Sequence, residues 1–483
     1  MIIETRGEIK MKLSFKTKFS YGVAAISDNA MYTLAGTYLL LFLTTVAGVS
    51  PAVAGTISAI GSVWEAMCAP IVGYKSDRMQ SRFGRRKPFL IMAAFPIAVI
   101  TALLFTALDF SPAMKTAYYV VMVILFWTFF SSEFVPYMAW GSDLTEDYNE
   151  RTVLRSFSYV FNQVGMGIGM VMPTVIVDYC MNHGRTLQQS WQRVGIFVGI
   201  CCCGALLFSA YNVRDTDVKD FVKPKNKEKF LEMKAVIGIF KQYVDILKLR
   251  PIQYIIGASL AYLVANVVFG ADRVFFMRYN LGLSESMISI MLLVITVNGI
   301  IMVPFISKFA TRFDKKSVFM LGIGGGGALM ILMRILGINS MPALLATVVF
   351  YGIANACYWQ LMPSMLYDVC AVEELMSGEN RSGAVISLQA LSESLSIALS
   401  NQMLGIILQV AGFDGGAAVQ TATAQHWIAN CFAVIPGLFM ILAGLLIKKY
   451  PINKKNFDHV MDALEQRKQG IVLDMTEFDH IFK

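Results

Sequence analysis

Charged side chains are scarce in this 483-residue chain: Asp, Glu, Lys and Arg make up 15%, against 56% hydrophobic residues. A soluble fold of this length needs more charge to cover its surface, so a set of water-soluble domains is excluded. The same hydrophobicity excludes disorder. Histidine is rarer still. His183, His426, His459 and His480 all lie outside the apolar stretches. No Ser/His or metal constellation can assemble within those stretches, which argues against a membrane-embedded enzyme. No catalytic residue, bound metal or cofactor is expected. None of the eight cysteines forms a C-x-x-C pair, and most sit in apolar segments. They read as small packing residues, with neither a disulfide framework nor a metal site. A secretory signal is also missing. Residues 1–19 carry Arg6, Lys10, Lys12, Lys16 and Lys18 with no apolar core.

What is present is a series of apolar runs of about 20 residues, each long enough to cross a hydrocarbon layer about 30 Å thick as a helix. The pattern predicts twelve transmembrane helices, near 20–45, 52–73, 88–108, 116–141, 155–177, 194–213, 252–277, 286–308, 317–337, 342–370, 383–411 and 427–448. A net charge of +8 could suggest nucleic acid, but its distribution indicates orientation in a bilayer instead. Of 41 Lys and Arg residues, 35 fall on one side of the predicted spans. Only Lys115, Arg185, Arg193, Arg273 and Arg278 fall on the other, and Arg334 lies within helix nine. By the positive-inside rule both termini are cytoplasmic, in the plasma membrane.

The layout predicts a six-helix bundle at 1–213, a cytoplasmic linker at 214–251, a second bundle at 252–448 and a cytoplasmic tail at 449–483. Phe230, Leu231, Ile237, Phe240, Val244 and Leu247 recur at helical spacing in the basic linker, as do Phe457, Val460, Met461 and Leu464 in the tail. Both read as amphipathic helices on the inner leaflet. Each bundle has a basic loop after its second helix, the second a degenerate copy of the first. Such duplication is common in secondary transporters, with the substrate site between the halves. Gly322 and Gly324–Gly327 are not a phosphate loop, because no Lys-Ser/Thr follows; close helix packing is expected there.

The first loop reads Gly73-Tyr74-Lys75-Ser76-Asp77-Arg78, then Arg82-Phe83-Gly84-Arg85-Arg86-Lys87-Pro88. It resembles the G-x-x-x-D-R-x-x-x-R-x-G-R-R motif of the major facilitator superfamily. Further matches are Tyr21-Gly22 leading to Asp28-Asn29, Trp64-Glu65-Ala66 before Pro70, Val135-Pro136-Tyr137 and Glu150-Arg151-Thr152. Others are Trp359 through Ser364-Met365-Leu366-Tyr367-Asp368-Val369, then Gly378 to Gly383 and Gln389. Spread over the full length, these make the chain resemble the glycoside–pentoside–hexuronide:cation symporters, the melibiose-permease-like family. The resemblance implies an all-α membrane protein with twelve helices in two six-helix bundles, importing a sugar or glycoside with H⁺ or Na⁺ by alternating access. A small-molecule substrate and the lipid bilayer are the implied partners, and a monomer is expected.

The departures from that pattern bear on the coupling ion. Glu65 fills the first acidic position of the family's cation segment, but Ala69 stands at the second. In helix four the acid expected two residues before the proline is Phe134, with Glu133 one residue earlier and Ser131 where a hydroxyl ligand would fall. The basic residue frequent in helix eleven falls on Ser394, beside Glu393; that of helix five falls near Ser158, with Arg155 one turn away. The loss at Ala69 favours H⁺, which needs one tuned group, over Na⁺, which needs several oxygens.

A carboxylate in hydrocarbon costs about 2.5–3.5 kcal/mol and persists mainly where it faces a partner, cavity or proton path. Asp28, Glu65, Glu133 and Glu393 are such residues. Glu65, Ser131 and Glu133 are assigned to cation coupling. Asp28, Asn29, Tyr32, Tyr137, Trp359, Gln389 and Glu393 are assigned to substrate. Trp359 matches the family's sugar-stacking tryptophan, whose indole suits the C–H face of a pyranose. Asp77, Arg78, Arg82, Arg85, Arg86, Asp368 and Arg381 could form a breakable charge network that biases a rocking equilibrium. The alternative is a proton-driven efflux antiporter for an amphipathic small molecule, which the same fold permits.

Overall fold

In the computed structural model the described residues are 13–79, 81, 83–84, 86–144, 148–213, 244–377, 382–468 and 478. They form helices α1 (Phe15–Thr45), α2 (Pro51–Arg78), α3 (Lys87–Leu104), α4 (Pro112–Asp143), α5 (Tyr148–Met170), α6 (Met172–Asn182) and α7 (Leu187–Asn212). Then come α8 (Arg250–Phe275), α9 (Glu285–Arg312), α10 (Lys315–Phe319), α11 (Gly325–Leu336) and α12 (Met341–Ser377). The last are α13 (Ser382–Val410), α14 (Ala422–Ala429), α15 (Ile435–Lys448) and α16 (Lys454–Lys468). Three π-helical turns, Phe276–Asn280, Met320–Gly324 and Asn430–Val434, extend α8, join α10 to α11 and join α14 to α15.

Among the described residues ten helical stretches are long and apolar enough to cross a membrane. Helices α1 and α9, of 31 and 28 residues, complete twelve, with Glu285–Gly299 of α9 a shorter apolar stretch. Local chemistry sets their ends. Ser14, Thr186, Ser284 and Thr421 each accept a backbone N–H of the following turn. Gly337, at φ +94°, closes α11 in a conformation that favours glycine. The predicted fifth span is two helices, α5 and α6, which part at Val171. Pro173 cannot continue the hydrogen-bond ladder but suits the first turn of α6. The predicted eighth helix runs on to Arg312, so Lys308 and Arg312 sit on its final turns.

The chain divides into two compact units. Unit 1 is Met1–Val49 with Val63–Lys223; unit 2 is Ser50–Ser62 with Pro224–Lys483, so the start of α2 groups with the second unit. In unit 1, α1 packs on α5 and α7, and α3 packs on α4 and α7. Gly165 lets α5 lie directly on α1: a Cβ there would meet the Ile26 carbonyl oxygen at 2.5 Å. At one end Tyr38, Phe42, Phe105 and Trp191 form an aromatic core with ring centroids 5.1–5.9 Å apart.

In unit 2, α8 packs on α12, α13 and α15, and α11 packs on α12 and α15. The glycine run is the close-packing element expected: a Cβ at Gly327 would meet the Gly437 carbonyl oxygen at 2.6 Å. The tail forms the expected helix, α16, but its setting differs from the interfacial reading. Val460, Ala463 and Leu464 are buried, α16 packs on α12, and Arg467 Nη1 donates to the Leu375 carbonyl at 2.7 Å. The apolar stripe therefore seats on protein, and Met461 alone of the predicted four is exposed. Of the amphipathic linker segment, only 244–247 lie among the described residues.

Candidate functional site

In unit 1 the acids sort into two corners. Glu133, on α4, is 1% exposed, and Ser27 Oγ on α1 donates to its Oε1 at 3.0 Å. Asp28 lies close enough for its charge to act on Glu133, and the Cys202 thiol of α7 also faces this carboxyl and the Ser27 carbonyl. Three helices thus converge on one buried acid, with Asp28, assigned to substrate by sequence, beside it. The α1–α5 contact at Gly165 fixes Ile26, the residue before Ser27.

The second corner lies between α2 and α4. Trp64 Nε1 donates to Thr128 Oγ1 at 2.8 Å, and half-buried Glu65 lies near Cys68, which neighbours Thr128 and Ser131. Ser131 Oγ is buried beside the Cys68 thiol, a weak hydrogen-bonding group, and makes no other hydrogen bond among the described residues. Ser131 and Glu133, two residues apart on one helix, point in widely different directions. The three residues assigned to coupling are therefore divided: Glu65 with Ser131, and Glu133 with Ser27 and Asp28.

The other unit 1 assignments are placed as follows. Asn29 Oδ1 accepts from Thr33 Oγ1 at 2.7 Å. Tyr32 is 41% exposed, with its ring edge-on to Trp127. Tyr137 is buried in a separate aromatic group, stacked on Tyr21 at 4.7 Å with its hydroxyl on Ser158 at 2.9 Å.

Unit 2 holds a polar ladder within apolar helices. Ser259, Tyr262 and Asn266 share one face of α8 at spacings of three and four. Tyr351 donates to Asn266 Oδ1 at 2.5 Å, Tyr262 donates to Asn355 Oδ1 at 2.8 Å, and Ser259 pairs with the Tyr358 hydroxyl at 2.6 Å. Gln389 Nε2 closes the ladder on Ser259 at 2.5 Å and Tyr358 at 3.2 Å. Its Oε1 is left with no partner. Trp359 Nε1 donates to the same Asn355 Oδ1 at 3.1 Å, which fixes the ring while 49% of the residue stays exposed. Glu393, one turn after Gln389, is close enough to act on the Tyr358 hydroxyl. Trp359, Gln389 and Glu393 thus all lie along this ladder. Ser259, Tyr262, Asn266, Asn355 and Tyr358 were missed. Their signal was a row of polar residues at helical spacing inside apolar spans, which in a membrane marks an interior face.

Among the described residues the charge network shows two pairs. Arg86 donates from Nε to Asp143 Oδ2 at 3.0 Å and from Nη1 to Ser76 Oγ at 2.5 Å. Lys315 Nζ donates to both Asp368 oxygens, at 2.8 and 3.0 Å. Asp143 and Lys315 are partners that sequence reading did not select. Arg82, Arg85 and Arg381, and the side chains of Asp77 and Arg78, lie outside the described residues.

Residues 20–454 match the family model described as MFS/sugar transport protein. The chain belongs to that family. An uncharacterized symporter from Synechocystis is 24% identical over 95% of this chain and 98% of its own. A glucuronide carrier protein homolog from Escherichia coli is 22% identical over 97% of this chain and all of its own. Among solved structures, a D-xylose-proton symporter superposes with a TM-score of 0.61 at 17% identity, over 90% of this chain and 97% of that one; this likeness concerns the fold. A major facilitator fold with twelve helices, and membership of the glycoside–pentoside–hexuronide branch, follow.

Proposed function

We propose that this family member imports a sugar or glycoside together with a cation, H⁺ rather than Na⁺, and that Glu133 with Asp28 is the coupling centre. The observation that carries the reading is the acid pair in unit 1: Glu133 is removed from solvent, takes one hydrogen bond from Ser27 and has a second carboxyl beside it. Two carboxyls that feel each other's charge away from solvent cannot both ionise cheaply, so the pair holds one proton readily. Sodium needs several oxygens at fixed geometry, and Ala69 takes a carboxylate out of the helix-two segment.

In unit 2, Trp359 offers an indole face to the C–H side of a pyranose ring, while the free Gln389 Oε1 and the Asn355–Tyr262 and Ser259–Tyr358 pairs offer acceptors and donors to its hydroxyls. The Lys and Arg asymmetry supports cytoplasmic termini in the plasma membrane, with import direction set by the ion gradient. Linkage makes the coupling reciprocal: protonation that favours substrate binding is itself favoured by substrate.

The test uses proteoliposomes with a weakly buffered medium and a panel of pentosides, hexosides and hexuronides. The right substrate should alkalinise the medium as it enters, and a protonophore should stop accumulation. Uptake that follows a sodium gradient with no proton movement would overturn the proton assignment. Accumulation driven outward against the ion gradient would favour efflux.

A further inference from the structure

Asp272 is a buried acid that neither the sequence reading nor the proposed coupling centre uses. It lies on the last turn of α8, directly before the π-helical turn Phe276–Asn280. It is fully buried, and neither carboxyl oxygen has a hydrogen-bond partner. An isolated carboxylate in such a place would carry a desolvation cost with nothing to offset it, whereas a neutral carboxylic acid is tolerated.

Among the described residues no cation is paired with it; His426 of α14, the helix packed on both π turns, is held on Arg334 at 3.2 Å. Arg273 follows it in the chain, but successive side chains on a helix diverge by about 100°, and the guanidinium lies near Tyr351 of α12. The group facing Asp272 from the Asn430–Val434 turn is Cys431. Arg278 and Tyr279 sit on the turn beyond, where Arg278 pairs with Glu285 at 2.5 Å. From α13 the titratable residue is Glu393, beside Tyr358 toward the other end of α8; α15 carries none before Lys448.

The second element of the geometry is backbone. Two π-helical turns, Phe276–Asn280 and Asn430–Val434, both pack at this end of α8. A π turn shifts the register of the hydrogen-bond ladder, and such turns are frequent where helices change conformation at functional sites. An acid that must stay neutral while buried, placed between two deformable turns, ties its protonation to whether those turns stay packed.

We propose that Asp272 is a second proton-binding site, in unit 2, that carries H⁺ in the packing seen here and releases it when the two π turns open. On release the acid's O–H bond breaks, the electron pair stays on the carboxylate, and the proton passes to water. The site takes a proton as its ligand and is independent of the Glu133 reading, since it needs no substrate.

The experiment uses the purified full chain in lipid nanodiscs, without sugar. Infrared difference spectra of wild type against Asp272→Asn at neutral pH should show one protonated carboxyl C=O band that the variant lacks. In wild type that band should disappear reversibly at alkaline pH. Amide hydrogen exchange over Asn430–Val434, read by mass spectrometry, should rise with pH more steeply in wild type than in Asp272→Asn once the acid has ionised. Identical spectra, or an identical rise of exchange in both proteins, would overturn the proposal. Should the Asn variant not fold, the titration of the wild-type band alone decides: a band unchanged across the pH range overturns it. Loss of coupling in Glu133 variants would leave these readouts unmoved, so the two proposals fail separately.

Discussion

Replacing Gly165 with alanine tests whether helix packing, rather than the acid itself, sets the coupling geometry. A Cβ at position 165 would lie 2.5 Å from the Ile26 carbonyl oxygen and 3.0 Å from its Cα. Both neighbours are backbone, so neither can rotate away. Restoring ordinary contact requires the helices to part by about 0.9 Å, and overpacking of this kind costs about 1–3 kcal/mol. The next residue, Ser27, donates to Glu133 at 3.0 Å, and a shift of that size is enough to take the bond past hydrogen-bond distance. Gly167 is the internal control, because a Cβ there meets nothing within 4 Å. Gly167→Ala should be neutral or stabilising, since alanine favours a helix interior by up to about 1 kcal/mol.

The assay is thermal unfolding of both variants in one detergent at one heating rate, followed by proton-coupled uptake. Gly165→Ala should melt several degrees below wild type and lose accumulation, and Gly167→Ala should do neither. Gly165→Ala melting level with Gly167→Ala would refute the reasoning. So would full accumulation by Gly165→Ala, because Ser27 and Glu133 would then tolerate the displacement.

Glu133→Gln keeps the acceptor for Ser27 but mimics a permanently protonated acid, so accumulation should vanish while downhill exchange persists; accumulation at the wild-type level would remove Glu133 from coupling. Glu65→Gln should behave alike only if the Trp64–Thr128 corner also carries the ion, and counterflow assays on the two variants separate the corners. Trp359→Ala should weaken substrate binding by roughly 1–3 kcal/mol, with Trp359→Phe losing less; equal affinity by calorimetry in all three proteins would place Trp359 in packing. Lys315→Met, which leaves Asp368 half-buried without its cation, should lower the melting temperature more than the double variant Lys315→Met/Asp368→Leu; the reverse order would show that the pair does not compensate its own burial.

Much of the fold was legible because a bilayer imposes one rule on every span: backbone groups must pair internally, so apolar length alone locates helices. What composition could not locate was register within a span. Pro173 breaks the fifth span at Val171, and three π turns interrupt otherwise uniform apolar runs. Such turns depend on which neighbours approach, as at Gly322–Gly327, where the partner backbones lie on α12 and α15. The tail helix shows the same limit. Val460, Ala463 and Leu464 define an apolar stripe, and a stripe is equally suited to lipid or to α12.

The site was legible to the extent that cost reveals it. Asp28, Glu65, Glu133 and Glu393 were visible because a charge in an apolar run demands an explanation. Their grouping was not, because Ser131 and Glu133 are neighbours in sequence and face different corners on the helix. Uncharged polar residues carry a weaker signal. Ser259, Tyr262, Asn266, Asn355 and Tyr358 each cost little in an apolar window, yet their mutual hydrogen bonds make one ladder across α8 and α12. Asp272 was not selected, although the predicted span 252–277 contains it together with Arg273, which was counted only for its charge. The structure carries α8 through both residues and buries them, Asp272 completely and Arg273 to 7% exposure. An acid and a base adjacent in sequence are adjacent in a loop, but on a helix they diverge, so each needs its own partner. That divergence, not the residue types, leaves Asp272 without a hydrogen bond.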